Sequence, residues 1–135
     1  MKTIKLYVDA WTSGNPGIGG CRVVDSSNTI CEWSSKTPRS NNFFETAAIG
    51  LAIKWIYDNN TADTKYEIYS DSVTAIAWIS KIPALPKCID PEITHELLRR
   101  IHLMLTELKN VGVPVAIIKW DTATNGEIPA DYGRK

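Results

Sequence analysis

A chain of 135 residues, 44% of them hydrophobic and 22% charged, matches one compact domain, and 1–135 is expected to form a single catalytic-sized unit rather than two. Its 15 basic and 15 acidic residues cancel, so charge alone selects neither a nucleic acid nor a small molecule as partner. The polar opening MKTIKLYVDAW lacks the apolar stretch of a secretory signal, and no apolar run approaches the roughly 20 residues of a membrane span.

Residues 3–9 alternate Ile4, Leu6 and Val8 with polar neighbours, a period of two that predicts a strand ending at Asp9. The turn Ser13-Gly14-Asn15-Pro16-Gly17 separates it from β-like runs at 21–24 and 29–33, so a three-stranded meander is expected. From Glu45 the spacing becomes helical, with Ala48, Leu51, Ala52, Trp55 and Ile56 sharing a face. A short strand at 66–69 closes on Ser70 and Asp71, and 72–80 reads as helix until Pro83 and Pro86 break it. Asp90 and Pro91 form an N-cap and first-turn pair opening a long helix whose face carries Ile93, Leu97, Ile101, Leu105 and Leu108. Gly112 stops that helix, 115–120 reads as a buried strand, and a last helical turn is expected near the end. This order predicts an α/β fold with a five-stranded mixed sheet, an antiparallel meander joined by crossovers to parallel strands, flanked by helices. Cys21, Cys31 and Cys88 contain no CxxC pair, which argues against a disulfide framework or a zinc site and fits reduced thiols in the cytoplasm.

In such sheets the carboxyl ends of neighbouring strands open on one crevice. Asp9 and Asp71 each follow an apolar strand stretch and are expected at the exposed sheet rim, Glu45 begins a helix, and Asp131 follows the last strand by a loop. A lone aspartate at a strand end is ordinarily a turn or cap residue. Several converging carboxylates are different, because hard cations require oxygen donors with charge to match. Two such metals, roughly 4 Å apart, activate a water and stabilise the leaving oxygen of a phosphodiester.

The ordered motifs are Asp9 followed by Gly14-Asn15-Pro16-Gly17, then Asn41-Asn42-Phe43-Phe44-Glu45, then Ile68-Tyr69-Ser70-Asp71-Ser72, and finally Gly126-Glu127-Ile128-Pro129-Ala130-Asp131. Together they resemble type 1 ribonuclease H, nearest to the Bacillus-type enzymes, and the likeness spans nearly the whole chain. It implies a ribonuclease H-like fold and an endonuclease that hydrolyses the RNA strand of RNA–DNA hybrids, leaving 5′-phosphate and 3′-hydroxyl ends. It also implies that Asp9, Glu45, Asp71 and Asp131 hold two Mg2+ ions, with Mn2+ able to substitute, in a monomer that needs neither a protein partner nor a membrane. Many relatives place a histidine ten residues before the last aspartate, where this chain has Asp121. Glu127 corresponds to the glutamate that replaces it in the Bacillus-type enzymes, so an auxiliary catalytic role in product release is expected there. The basic, tryptophan-containing handle of some relatives is missing from the segment KIPALPKCID.

Telling RNA from DNA depends on the 2′-hydroxyl in the wide minor groove. Gly14, Asn15, Asn41 and Asn42 are candidates for it, with a tight turn and N-capping as their plain structural alternatives. The resemblance assigns Ser72, Thr74 and Thr122 to the DNA-strand phosphate, while Val73 stands where close relatives carry glutamine. Trp78 either packs beside a sugar or belongs to the core. Lys119, Arg134 and Lys135 suit phosphates or plain solvation. His95 and His102 lack a ligand set and are read as structural, and Tyr132 is placed at the edge of the site. Two rivals share these features: a DNA-cutting nuclease or transposase-like member of the fold, and a catalytically silent hybrid-binding module.

Overall fold

The alternation that starts at Ile4 carries well past Asp9. In the computed structural model, which describes residues 1–26 and 28–132, strand β1 spans Lys2–Gly14, β2 Gly17–Val24 and β3 Thr29–Arg39. The expectation that the first strand ends at Asp9 is therefore corrected: β1 pairs with β2 from Tyr7↔Val24 through to Gly14↔Gly17. Glycines permit this. A Cβ on Gly17 would lie 2.0 Å from the Ser13 carbonyl oxygen, and one on Gly19 2.4 Å from that of Trp11. Residues that read as turn punctuation thus belong to a tightly apposed hairpin. Strand β3 also outruns its expected end at Trp33 and includes Pro38. It is the edge strand of the sheet, where a missing N–H is tolerated.

Helix α1 spans Asn41–Asn59 and begins before Glu45, because Ser40 rather than an asparagine is its N-cap: the Ser40 hydroxyl accepts the Phe43 N–H at 3.1 Å. The expected single apolar face is incomplete. Ala48, Ala52 and Ile56 are buried, Leu51 and Trp55 only partly so, and Phe44, Ile49 and Ile53 are buried as well. A helix lying between the sheet and a second helix needs apolar cover on two sides, so its periodicity is weak. Burying side chains such as Ile49, Ile53 and Ile56 contributes roughly 1.5–3 kcal/mol each, well above the ~1 kcal/mol that Gly50 costs in mid-helix. Gly50 also lets the neighbouring helix in, since a Cβ there would sit 3.1 Å from Ile101 Cδ1.

Strand β4 (Thr64–Ser70), α2 (Val73–Ser80), α3 (Pro91–Asn110), β5 (Val115–Lys119) and the single turn α4 (Thr122–Asn125) complete the order. The buried line of α3 is Thr94, Leu98, Ile101 and Leu108, a slight rotation from the expected one, which leaves Ile93, Leu97 and Leu105 partly buried. Asp90 does not cap its own helix with its side chain; its Oδ2 instead accepts the Ser40 N–H at 3.1 Å, tying the starts of α1 and α3 together. The sheet order is β3-β2-β1-β4-β5, antiparallel across β3-β2-β1 and parallel across β1-β4-β5, as the meander-then-crossover reading requires. The thiols of Cys21, Cys31 and Cys88 are free. Among the described residues no helix is long and apolar enough to cross a membrane.

Ser40 is almost fully buried, so its cap bond has little competition from water. Ser40→Ala is expected to cost about 1 kcal/mol. In urea unfolding the midpoint should fall with no change in slope; an unmoved midpoint would show that the cap contributes nothing.

Candidate active site

Parallel register brings the first two acids together. Pairing between β1 and β4 runs from Lys2↔Thr64 to Tyr7↔Tyr69 and then stops, and Asp9 and Asp71 each stand two residues beyond that last pair. Asp9 therefore lies at a parting of the sheet on its β4 side while still paired with Arg22 on its β2 side. Nor does it sit at an exposed rim, as expected: it is 5% exposed. Asp71, just past β4, and Glu45, on the second turn of α1, are half-buried. Each of Asp9, Glu45 and Asp71 offers a carboxylate oxygen, and these atoms lie within 4.8 Å of one another. Asp131 stands outside that set but beside it, for the next residue, Tyr132, donates its N–H to Asp9 Oδ2 at 3.3 Å.

Burial is the main reason the Asp9 carboxyl is pushed up from 3.8 to about 6. The N–H groups of Ala10 and Tyr132 oppose the shift, whereas the charges of Asp71 and Asp131 add to it. This donor set fits a hard divalent cation: clustered carboxylate oxygens, one of them reluctant to ionise without a compensating charge. An apolar groove of about 610 Å3 between α1 and α3, lined by residues such as Leu51, Tyr57, Leu97 and Met104, contains none of these acids.

The remaining expected residues fall into two groups. Asn15 and Asn41 meet, because Asn15 Oδ1 accepts the Asn41 N–H at 3.0 Å and Asn41 Oδ1 accepts the Asn42 N–H at 2.9 Å. Gly14 precedes them with φ 91°, in the region that favours glycine, and Asn15-Pro16 is a cis peptide. Ser72 caps α2 by accepting the Ala75 N–H at 3.1 Å, beside exposed Val73 and half-buried Thr74. Thr122 begins α4, which is capped by Asp121. Hydrogen bonds from the Thr124 hydroxyl and N–H hold the Asp121 carboxyl below its ordinary value, so this acid acts as the cap of α4. Glu127 is exposed, next to Ile128, which is buried together with Ala130 and anchors the loop that carries Asp131.

Trp78 is partly buried and packs against the core. A ring nitrogen of His95 lies 2.7 Å from the Pro86 carbonyl oxygen, and His102 is exposed. Lys119 is exposed and bonds the Trp120 carbonyl; Arg134 and Lys135 lie outside the described residues. Sequence reasoning passed over Arg22. Its guanidinium donates to the carbonyls of Ala130 at 2.8 Å and Asp131 at 2.5 Å and lies 4.4 Å over the Tyr132 ring. The available signal was a lone cation inside the apolar run Cys21-Arg22-Val23-Val24.

No protein-family model matches the sequence. The fold nevertheless recurs in solved structures. A ribonuclease H1 isolated from compost by a metagenomic approach, LC11-RNase H1, superposes with a TM-score of 0.66 at 21% identity over 93% of this chain and 89% of that one. The ribonuclease H1 of the halophilic archaeon Halobacterium salinarum gives 0.60 at 23% identity over 91% and 89%. LC11-RNase H1 in complex with an RNA/DNA hybrid gives 0.59 at 21% identity over 90% and 88%. The chain therefore has the ribonuclease H-like fold: a five-stranded mixed sheet with flanking helices and a cluster of acids where β1 and β4 part.

A carboxyl whose folded value is raised favours folding most where it is protonated, and that contribution is lost as pH climbs through about 6. For nearly buried Asp9 the loss is on the order of 2–3 kcal/mol. Asp9→Asn cannot ionise. In chelator it should melt above the parent protein at about pH 8, with the difference vanishing near pH 4. A variant that melts below the parent at the higher pH would contradict a strained Asp9 carboxylate.

Proposed function

We propose that this chain is a type 1 ribonuclease H, a single-domain monomeric endonuclease that hydrolyses the RNA strand of RNA–DNA hybrids to 5′-phosphate and 3′-hydroxyl ends. The observation that carries this reading is the meeting of Asp9, Glu45 and Asp71 at the parted end of β1 and β4. Related folds include a ribonuclease H1 held on an RNA/DNA hybrid, which favours that substrate over duplex DNA.

Asp9, Glu45, Asp71 and the adjacent Asp131 would hold two Mg2+ ions. Bound there, the ions supply a water of lowered pKa and positive charge at the scissile phosphate. The chain's own residues do the rest. Asp9 is fixed by its strand and Asp71 by the end of β4, so these two define where the phosphate lies. Glu45 comes from a helix locked at its start, and Asp131 from a loop pinned by Ile128 and Ala130. Glu127, exposed on that loop, would play an auxiliary role in product release.

Hybrid recognition falls to the polar edge formed by Gly14, Asn15, Asn41 and Asn42. The bonds among them use the amide oxygens, so the Nδ2 groups of Asn15 and Asn41 are the donors suited to a 2′-oxygen. Ser72, Thr74 and Thr122 would supply hydroxyl donors to a DNA-strand phosphate. The Ser72 hydroxyl can cap α2 as an acceptor and still donate its own proton.

Labelled hybrid, duplex RNA and duplex DNA, each with Mg2+ or with chelator, test this directly. Only the RNA of the hybrid should be cut, and only with metal. Asp9→Asn or Asp71→Asn should lower the rate by about four orders of magnitude or more, the scale on which removing one member of a catalytic unit acts. Glu127→Ala should leave slow cleavage. Cutting of duplex DNA at an equal rate, or full activity in Asp71→Asn, would defeat the proposal.

A further inference from the structure

Arg22 belongs to a strand whose neighbours Cys21, Val23 and Val24 are buried, and a long cation there would ordinarily reach for water. It does the opposite. Nε donates to the Ala130 carbonyl at 2.8 Å, Nη2 donates to the Asp131 carbonyl at 2.5 Å, and the guanidinium carbon lies 4.4 Å from the centre of the Tyr132 ring. One side chain thus grips three successive residues. Arg22 is also the cross-strand partner of Asp9, and Asp9 itself accepts the Tyr132 N–H at 3.3 Å.

The gripped segment lies beyond the last strand and outside the sheet's hydrogen-bond ladder. Support for it includes the bond from the Asp131 N–H to the Ile128 carbonyl at 2.9 Å, the Tyr132 N–H on Asp9 and the burial of Ile128 and Ala130. A planar fork bonded to two consecutive carbonyls adds a fixed direction to the backbone on either side of Asp131, and a lysine could not reproduce it, since an ammonium lacks both the second fixed donor and the flat face that stacks on Tyr132.

We infer that Arg22 is a positioning residue: its guanidinium fastens the 130–132 backbone against the β1–β2 hairpin so that Asp131 is presented to the Asp9, Glu45 and Asp71 cluster. Its effect on metal passes through Asp131 and rests on the proposed function; its hold on the segment does not. Groups that orient metal ligands typically alter metal affinity about 10–100-fold when removed.

Two measurements separate the claims. In the metal-free protein, hydrogen exchange of the Asp131 and Tyr132 amides should quicken at least about tenfold in Arg22→Met and in Arg22→Lys, while core amides of β1 and β2 such as Val8 and Val23 keep their protection. Unchanged exchange at Asp131 and Tyr132, or an equal rise across the sheet, would overturn the role. By calorimetry, Mn2+ should bind about tenfold more weakly to Arg22→Met than to the parent, yet Arg22→Met should add nothing in an Asp131→Asn background. An equal loss in both backgrounds would overturn action through Asp131. A parent protein that binds no Mn2+ would instead defeat the nuclease reading and, with it, the metal arm of the inference, while the exchange data still decide whether Arg22 holds the segment.

Discussion

Asp9 is a carboxylate lodged inside a β-sheet, paired on one side and abandoned by its neighbour on the other, and the chemistry of the molecule follows from that position. Two residues after the last β1–β4 pair the strands have parted enough to admit side chains from elsewhere, yet not enough to admit bulk water, so Asp9 stays nearly buried. Burial disfavours its charge, and Glu45 and Asp71 bring further negative charge within a few ångströms rather than relief. N–H groups from Ala10 and Tyr132 soften the arrangement at Asp9. A protein that gathers like charges in this way is poised for a cation, because one bound ion attracts every carboxylate in the cluster and outweighs their mutual repulsion.

Much of this was legible from the residues. The alternation at Ile4, Leu6 and Val8, the crossover order and the four acids pointed to the mixed sheet and to its parted end. Strand length was not legible, because Gly17 and Gly19 resemble loop residues unless one knows how closely β1 and β2 approach. The start of α1 was misplaced for a related reason: Asn41 and Asn42 looked like caps, but Ser40 performs that task and leaves them on the first turn. The exposed position expected for Asp9 failed because a strand was assumed to end there. Arg22 escaped notice because its partners lie more than a hundred residues away and its three contacts are two backbone carbonyls and a ring face, which carry no signature in a sequence.

The zero net charge now has a local meaning. Three acids, Asp9, Glu45 and Asp71, meet at one end of the sheet, whereas the described ion pairs, Lys54 with Asp58 and Arg100 with Glu96, are exposed and join residues one helical turn apart. Such pairs contribute little to stability. Their charges are neutralised on the helices themselves.

The start of α1 is held from two directions, by Asn15 of the hairpin turn and by Asp90 at the head of α3. Asp90 also terminates the proline-punctuated connection after α2, so that connection has a mechanical line to the helix bearing Glu45. Lengthening or stiffening the linker would therefore be felt as a tilt of a distant carboxylate.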